Sequence, residues 1–393
     1  MGKGLKKVYL MIYDAGAGHR STAKALQKLI EQRQLPWEIH LVEAFKEIIG
    51  TSSSQNFYNN VILQKAWAKV ITKPLLVPLF KLQIGFYHSV WLARFKKFWQ
   101  QHQPDIVVSV MPYLNRVFYE SLQATLPSVP FITLLTDLAD CPPHFWIEQQ
   151  EQFLICPTER AIEQAKNLGY SDEQIFHTSG LVINPQFYES IIIDRHLEKQ
   201  RLGLDPNLPT GLVMFGGHGS NEMIEIAERL EQSSLNIQLI FICGKNKRLA
   251  TILRRSQNRI PRYIEEFTKQ IPYYMHLSDF FIGKPGNVSI SEAIAMKLPV
   301  ITELNALTLM QERYCCEWIA NNELGIVISN FRNIDSAVAE LIQPENLFRY
   351  RTNIKAFKNQ AVFEVVEILE KILKHSYLDG LYENDPLLSI KQT

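Results

Sequence analysis

The strongest constraint on this chain is a repeated unit: a short apolar run that ends at a turn and is followed by a helix-like stretch. "KVYLMIY" leads into "STAKALQKLIEQR", and "WEIHLVEA" reads as the next strand. "PDIVVSVMP", "PFITLLTDL", "QFLICPT" and "IFHTSG" complete a first series. A second begins at "GLVMFGG" and runs through "SNEMIEIAERLEQ", "IQLIFICG", "DFFIGKPG", "SISEAIAMKL" and "PVITEL". Such alternation predicts parallel sheets with crossover helices, an α/β chain. At 393 residues the chain is long for one core, so two doubly wound domains in tandem are expected. The proline-punctuated stretch 179–211 divides them, giving domains 1–180 and 181–345, with carboxy-terminal helices over 346–393.

Composition narrows the partners. A net charge of +1 excludes a strongly basic nucleic-acid binder. Five cysteines, an odd number with no CxxC pair, read as reduced thiols rather than disulfides or a zinc site. The apolar run after the basic start is too short for a secretory signal. No run approaches the roughly 20 apolar residues that span a bilayer. The expected location is cytoplasmic, at most on a membrane surface.

One segment points to such a surface. From Ile48 to Pro104 there is no Asp or Glu, although 40 of 393 residues are acidic. Lys65, Lys69, Lys73, Lys81, Arg94, Lys96 and Lys97 lie among Trp67, Phe80, Phe86, Trp91, Phe95, Phe98 and Trp99. Basic residues interleaved with aromatics suit an anionic bilayer interface. Amphipathic helices packed on the amino domain give the same pattern.

Three turns carry candidate chemistry. In "DAGAGHRSTAKAL" a strand ends in Gly16 and Gly18 and presents His19 at a helix start. In "GLVMFGGHGSNEMIEIAERL" Gly216, Gly217, Gly219 and Ser220 form a similar turn. Glycines permit positive φ and close approach of a ligand, and the following helix start attracts anions. Neither is a Walker A loop or a GxGxxG fingerprint. In "GKPGNVSISEAIAMKLPVI" Glu292 sits one turn into a helix, where a carboxylate can accept from a vicinal diol. The same spacing, Ser289 to Glu292, fits a capping box. Lys245, Lys247 and Arg248 follow a further strand and can face phosphate or simply solvent. There is no DxD triplet, so no metal is expected.

In order, "DAGAGHRSTAKAL", "TDLADCPPHFW", "FGGHGS", "FICGKNKRL" and "FTKQIPYYMHLSDFFIGKPGNVSISEAIAMKLPVI" resemble the successive motifs of monogalactosyldiacylglycerol synthases and related processive diacylglycerol glycosyltransferases. More distantly they resemble the peptidoglycan N-acetylglucosaminyltransferase. The resemblance runs from about residue 8 to residue 330 and implies a GT-B fold, two Rossmann-like domains facing a central cleft. It implies that His19 is the base near an acceptor hydroxyl, for which an unperturbed imidazole suits neutral pH. It implies Asp137, in the loop facing the acceptor, as a second catalytic residue, and places His144, with the turn glycines Gly16 and Gly18, on the acceptor side. On the donor side it implies Glu292 for the nucleotide ribose and Gly286, Asn287, Val288 and Ser289 for the diphosphate. Phe267 falls at the uracil base and Lys245 at a basic position after the strand. Ala17, Phe215 and His218 depart from the usual glycine, glycine and acidic residue, and bear on sugar choice or on loss of activity.

The expected activity is therefore inverting transfer of a hexose from a UDP-sugar, a substrate rather than a cofactor, to a membrane lipid such as diacylglycerol. A UDP-sugar enzyme with a soluble acceptor, an epimerase, or a non-catalytic nucleotide- or lipid-binding relative are the alternatives.

Overall fold

The computed structural model describes residues 5–13, 18–49, 76–256 and 259–383, leaving aside the side chains of 76–86 and 375–383. The chain forms two compact units, Met1–Asn184 with Gln360–Thr393, and Pro185–Asn359. Both are parallel α/β layers, as the alternation predicts.

The first unit contains β1 (Lys6–Ile12), α1 (Gly18–Gln32), β2 (Trp37–Glu43), α2 (Leu76–His102), β3 (Ile106–Ser109), α3 (Asn115–Gln123), β4 (Phe131–Leu134), β5 (Phe153–Cys156), α4 (Glu159–Asn167) and β6 (Ile175–His177). Its sheet order is β2-β1-β3-β4-β5-β6, every pair parallel. Residues 8–12 are all buried, the signature of a parallel strand covered on both faces. Helix α1 buries Ala23, Leu26, Leu29 and Ile30, which recur at helical spacing. The chain winds from β1 to β2 in one direction and to β3 in the other. This reversal opens a crevice at the carboxyl ends of β1 and β3, where open α/β sheets bind ligands.

The second unit contains α5 (Arg195–Arg201), β7 (Thr210–Met214), α6 (Glu222–Gln232), β8 (Gln238–Ile242), α7 (Lys247–Arg255), β9 (Arg262–Glu265), α8 (Ile271–Leu277), β10 (Phe280–Ile282), α9 (Asn287–Ala295), β11 (Val300–Glu303), α10 (Met310–Asn321), β12 (Gly325–Ile328), α11 (Ile334–Leu341) and α12 (Pro344–Ala356). Its order, β12-β11-β10-β7-β8-β9, is the doubly wound dinucleotide-binding arrangement, with the reversal between β7 and β10. Strands β9 and β12 were not anticipated; "RYIE" and "GIVI" are short, and neither is fully buried. Asp279, at the foot of β10, accepts from Arg195 at 2.9 Å and Arg351 at 3.0 Å, tying α5 and α12 to the sheet. Burial alone would raise its carboxyl, but the Arg195 guanidinium holds it below the usual carboxylate range.

Helix α13 (Ala361–Glu383) belongs to the first unit. The Glu364 carboxylate accepts from the Ser179 backbone N–H at 2.7 Å, and Arg33 lies over the Phe363 ring, 5.5 Å from its centroid. The carboxy-terminal helices thus divide: α12 stays with the second unit and α13 returns to the first.

The basic-aromatic segment needs a correction. Residues 50–75, with Lys65, Trp67, Lys69 and Lys73, lie outside the described residues, as do the side chains of Phe80, Lys81 and Phe86. Over the rest of α2, Phe95 and Trp99 are fully buried, and Trp91 and Phe98 pack on the same core. The Trp99 indole N–H donates to Ser121 Oγ at 2.9 Å. These rings fill the amino-terminal core rather than an interface, because α2 turns its aromatic stripe onto α3. Among its described side chains, Tyr87 and Val90 are the large apolar ones left exposed. Among the described residues no helix is long and apolar enough to cross a membrane.

Candidate active site

His19 is the second residue of α1, at the β1/β3 switch point; Gly18 opens the helix, and Gly16 and Ala17 lie outside the described residues. Its Nδ1 lies 3.1 Å from the Thr136 hydroxyl, and its ring is 5.8 Å from that of Trp146. The residue as a whole is half-buried. Even so, desolvation by the surrounding protein pulls its pKa down to about 4, against a smaller upward pull from a backbone hydrogen bond at Val110. This corrects the expectation of an unperturbed imidazole. At neutral pH the ring is uncharged throughout, ready to accept a proton but reluctant to keep it.

The loop "TDLADCPPHFW" is a built structure. Asp137 Oδ2 accepts the Trp146 indole N–H at 2.9 Å, so it meets His19 through Trp146. Asp140, nearly inaccessible, accepts the backbone N–H groups of His144, Phe145 and Trp146 at 2.8, 2.9 and 2.6 Å. Burial still pushes its carboxyl up. His144 has φ +61° and an exposed side chain at the turn; its backbone is held by Asp140, and its ring makes no hydrogen bond among the described residues. Asn115 Nδ2 donates to the Trp146 carbonyl at 2.8 Å. Thr136 and Trp146 were missed as site residues. Thr136 is 117 residues from His19, and adjacency to Asp137 was its only signal.

The second unit builds its site from backbone. The turn after β7 interlocks with the turn after β8: the Lys245 N–H donates to the Gly217 carbonyl at 2.9 Å. Gly219 has φ +60°, and a Cβ there would lie 2.7 Å from the Cys243 carbonyl oxygen. At Gly244, φ +59°, it would lie 2.4 Å from the Gly217 oxygen. Only glycine fits either position. Gly216 is adjacent, and the Ser220 hydroxyl donates to the Glu222 carboxylate. Phe215 is buried, edge-on to Phe331 at 5.3 Å. It faces the core and not the turn, so it leaves the turn's ligand face clear. His218 is exposed.

Across the switch point, α9 begins at Asn287 with Gly286 as its cap residue and no side-chain cap. Ser289 already lies in the first turn, which overturns the capping-box alternative and leaves the helix start with the partial positive charge that suits an anion. Asn287 is buried and donates to the Gln311 carbonyl at 3.3 Å; Val288 and Ser289 are half-buried. Lys284, also missed from sequence, connects the two turns. Its Cε would lie 3.9 Å from a Cβ on Gly216 and 3.6 Å from one on Gly286, and its Nζ pairs with Glu312 at 3.0 Å. A lysine inside "GKPG" was its signal.

The Glu292 side chain makes no hydrogen bond or ion pair among the described residues, and desolvation pushes its pKa up to about 8. Its carboxyl carries a proton at neutral pH. Lys245 Nζ sits 5.8 Å from the centroid of Phe267, whose ring is 55% exposed. That exposed ring beside a cation is a stacking platform. Lys247 and Arg248 are exposed at the start of α7.

Residues 19–183 match the monogalactosyldiacylglycerol (MGDG) synthase family, and residues 212–307 match the glycosyltransferase family 28 C-terminal domain. Over 93% of its length the chain is 28% identical to 81% of a probable monogalactosyldiacylglycerol synthase 2, chloroplastic, of Oryza sativa subsp. japonica. Among solved structures it resembles Acinetobacter baumannii MurG with a TM-score of 0.61 at 13% identity, covering 93% of this chain and 99% of that one. S. aureus MnaA, solved with UDP, gives 0.59 at 14% identity, covering 94% and 97%. The two-unit GT-B fold follows from these likenesses.

Proposed function

We propose that this chain, which belongs to the glycosyltransferases of the monogalactosyldiacylglycerol synthase type, moves a hexose from a UDP-sugar to a membrane lipid hydroxyl, that of diacylglycerol, with inversion. The observation that carries this reading is the half-buried imidazole of His19, held by the Thr136 hydroxyl at the switch point of the first sheet. The acceptor O–H gives its proton to that imidazole while its oxygen forms the bond to the anomeric carbon. The bond from that carbon to the diphosphate breaks, and the electron pair leaves on the β-phosphate as UDP. The imidazolium then returns its proton to solvent.

On the donor side, the Gly216–Ser220 turn, Lys284 and the uncapped start of α9 hold the diphosphate and offset the charge that grows as it leaves. Glu292 takes the ribose diol, and Phe267 with Lys245 takes the base. An anionic membrane surface is the platform for the acceptor; exposed Tyr87 and Val90 on α2 support it. The inward packing of Phe95 and Trp99 favours a second reading, a soluble acceptor.

UDP release decides between them. With UDP-hexose present, release rises when anionic vesicles carry diacylglycerol and stays at background with soluble alcohols or sugars. Release that ignores diacylglycerol and follows a soluble acceptor contradicts the lipid assignment.

A further inference from the structure

The first unit holds its imidazole in an uncommon way: the partner of His19 Nδ1 is a neutral hydroxyl, not a carboxylate. Thr136 leaves the carboxyl end of β4 with its side chain buried, and its Oγ1 lies 3.1 Å from Nδ1. The next residue, Asp137, does not reach His19. It accepts the indole N–H of Trp146, whose ring lies 5.8 Å from the imidazole at 53°. Trp146 is in turn fully buried, with its N–H on Asp140 and its carbonyl on Asn115. Trp146 is thus anchored at both its ring and its backbone, and the Val110 backbone is a further hydrogen-bond partner of the imidazole.

Resting on the reading of His19 as the base, we infer that Thr136 and the Asp137–Trp146 pair are positioning residues that select its tautomer and fix its tilt. A hydroxyl can accept from Nδ1–H or donate to bare Nδ1. Only the first arrangement leaves the Nε2 lone pair for the acceptor proton. Thr136 therefore accepts from Nδ1–H, and Nε2 is the basic atom. Asp137 acts through Trp146: its carboxylate locks the indole against the imidazole and exchanges no proton with substrate.

The choice of a hydroxyl has a consequence. A carboxylate on Nδ1 would stabilise imidazolium and raise its pKa, whereas Thr136 adds no charge. The ring stays neutral when the site is empty, and the proton it takes is released readily after transfer.

The test uses full-length protein with ¹⁵N-labelled histidine, His19→Ala serving to assign the His19 signal. The wild-type ring should be in the Nδ1–H tautomer at pH 7. Thr136→Val should shift population toward Nε2–H and lower kcat about 10-fold or more, the scale of one lost hydrogen bond. The KM for the UDP-sugar should not move, and Thr136→Ser should restore both tautomer and kcat. Asp137→Leu, which removes the acceptor of the indole N–H, should lower kcat with the KM for the UDP-sugar unmoved.

A wild-type Nε2–H tautomer overturns the inference even if Thr136→Val is insoluble, as does a Thr136→Val protein with unchanged tautomer and kcat. An Asp137→Leu protein with unchanged kcat overturns the role given to Asp137. Full turnover in His19→Ala defeats the base reading itself, an outcome separate from all of these.

Discussion

The two units solve the same problem with different materials. At the switch point of the first sheet, the proposed reactive group is a side chain held by other side chains: Thr136, Trp146, and behind them Asp137, Asp140 and Asn115. At the switch point of the second, the proposed ligand surface is backbone: two glycine turns locked together by the Lys245–Gly217 hydrogen bond, and a helix start without a side-chain cap. The first site should therefore be sensitive to what its side chains are, and the second to whether a Cβ is present. Burial acts on both in the same sense. It lowers His19 to about 4 and raises Glu292 to about 8, so each empty site holds its titratable group uncharged.

The comparison breaks most visibly at His19. Replacing it with alanine should reduce turnover by roughly 10²–10⁴-fold, the span of a lost general base, while UDP affinity by calorimetry stays as in the wild type. In the wild type, the acidic limb of kcat/KM should fall near pH 4, where the buried ring titrates, rather than near 6.5. A limb near 6.5 would show that the ring is solvated.

Glu292 sharpens the contrast through pH. A carboxyl with its folded pKa raised stabilises the folded state fully below the unfolded value of about 4.5, and that contribution disappears as pH rises through about 8. Between pH 5 and 8 the ligand-free protein should lose on the order of 3 kcal/mol relative to Glu292→Gln, read from denaturant midpoints. His19 works the other way: its folded pKa is depressed, so its contribution is lost as pH falls from about 6.5 through 4. Equal pH slopes for wild type and Glu292→Gln would return Glu292 to solvent.

The next effect tests the backbone site. Gly219→Ala places a Cβ 2.7 Å from the Cys243 carbonyl on a φ of +60°. The left-handed backbone alone costs about 1–2 kcal/mol, and UDP affinity should drop as the turn moves. Phe215→Leu should do least: roughly 1 kcal/mol of stability from the core, with UDP affinity unmoved, because the ring lies against Phe331 and not in the turn. If Phe215→Leu changes donor affinity while Gly219→Ala does not, the two units do not differ as described.

What could be read from the sequence follows the same division. A glycine turn between an apolar strand and a helix is local in sequence, so residues 216–220 and 286–292 were found where they stand. Contacts that close over long separations were not legible: Thr136 meets His19 across 117 residues, and Lys284 meets Glu312 across 28. The S-x-x-E spacing at Ser289 and Glu292 fits a cap as well as an interior carboxyl, and only the helix start at Asn287 separates them. The aromatic residues of α2 misled for a related reason. Composition gives their number, but their direction depends on how the helix lies against α3. Of the two edge strands that escaped, β9 ("RYIE") lacks a continuous apolar run and β12 ("GIVI") has one of only four residues.

One proton acceptor and one departing UDP imply a single displacement at the sugar carbon. The most direct test is the lipid made from α-linked UDP-hexoses and diacylglycerol in anionic vesicles, identified by mass spectrometry and its anomeric configuration read by proton NMR. The account predicts a β-linked hexosyl-diacylglycerol in one-to-one yield with UDP. An α-linked product, or UDP formed with free hexose and no glycolipid, would contradict it.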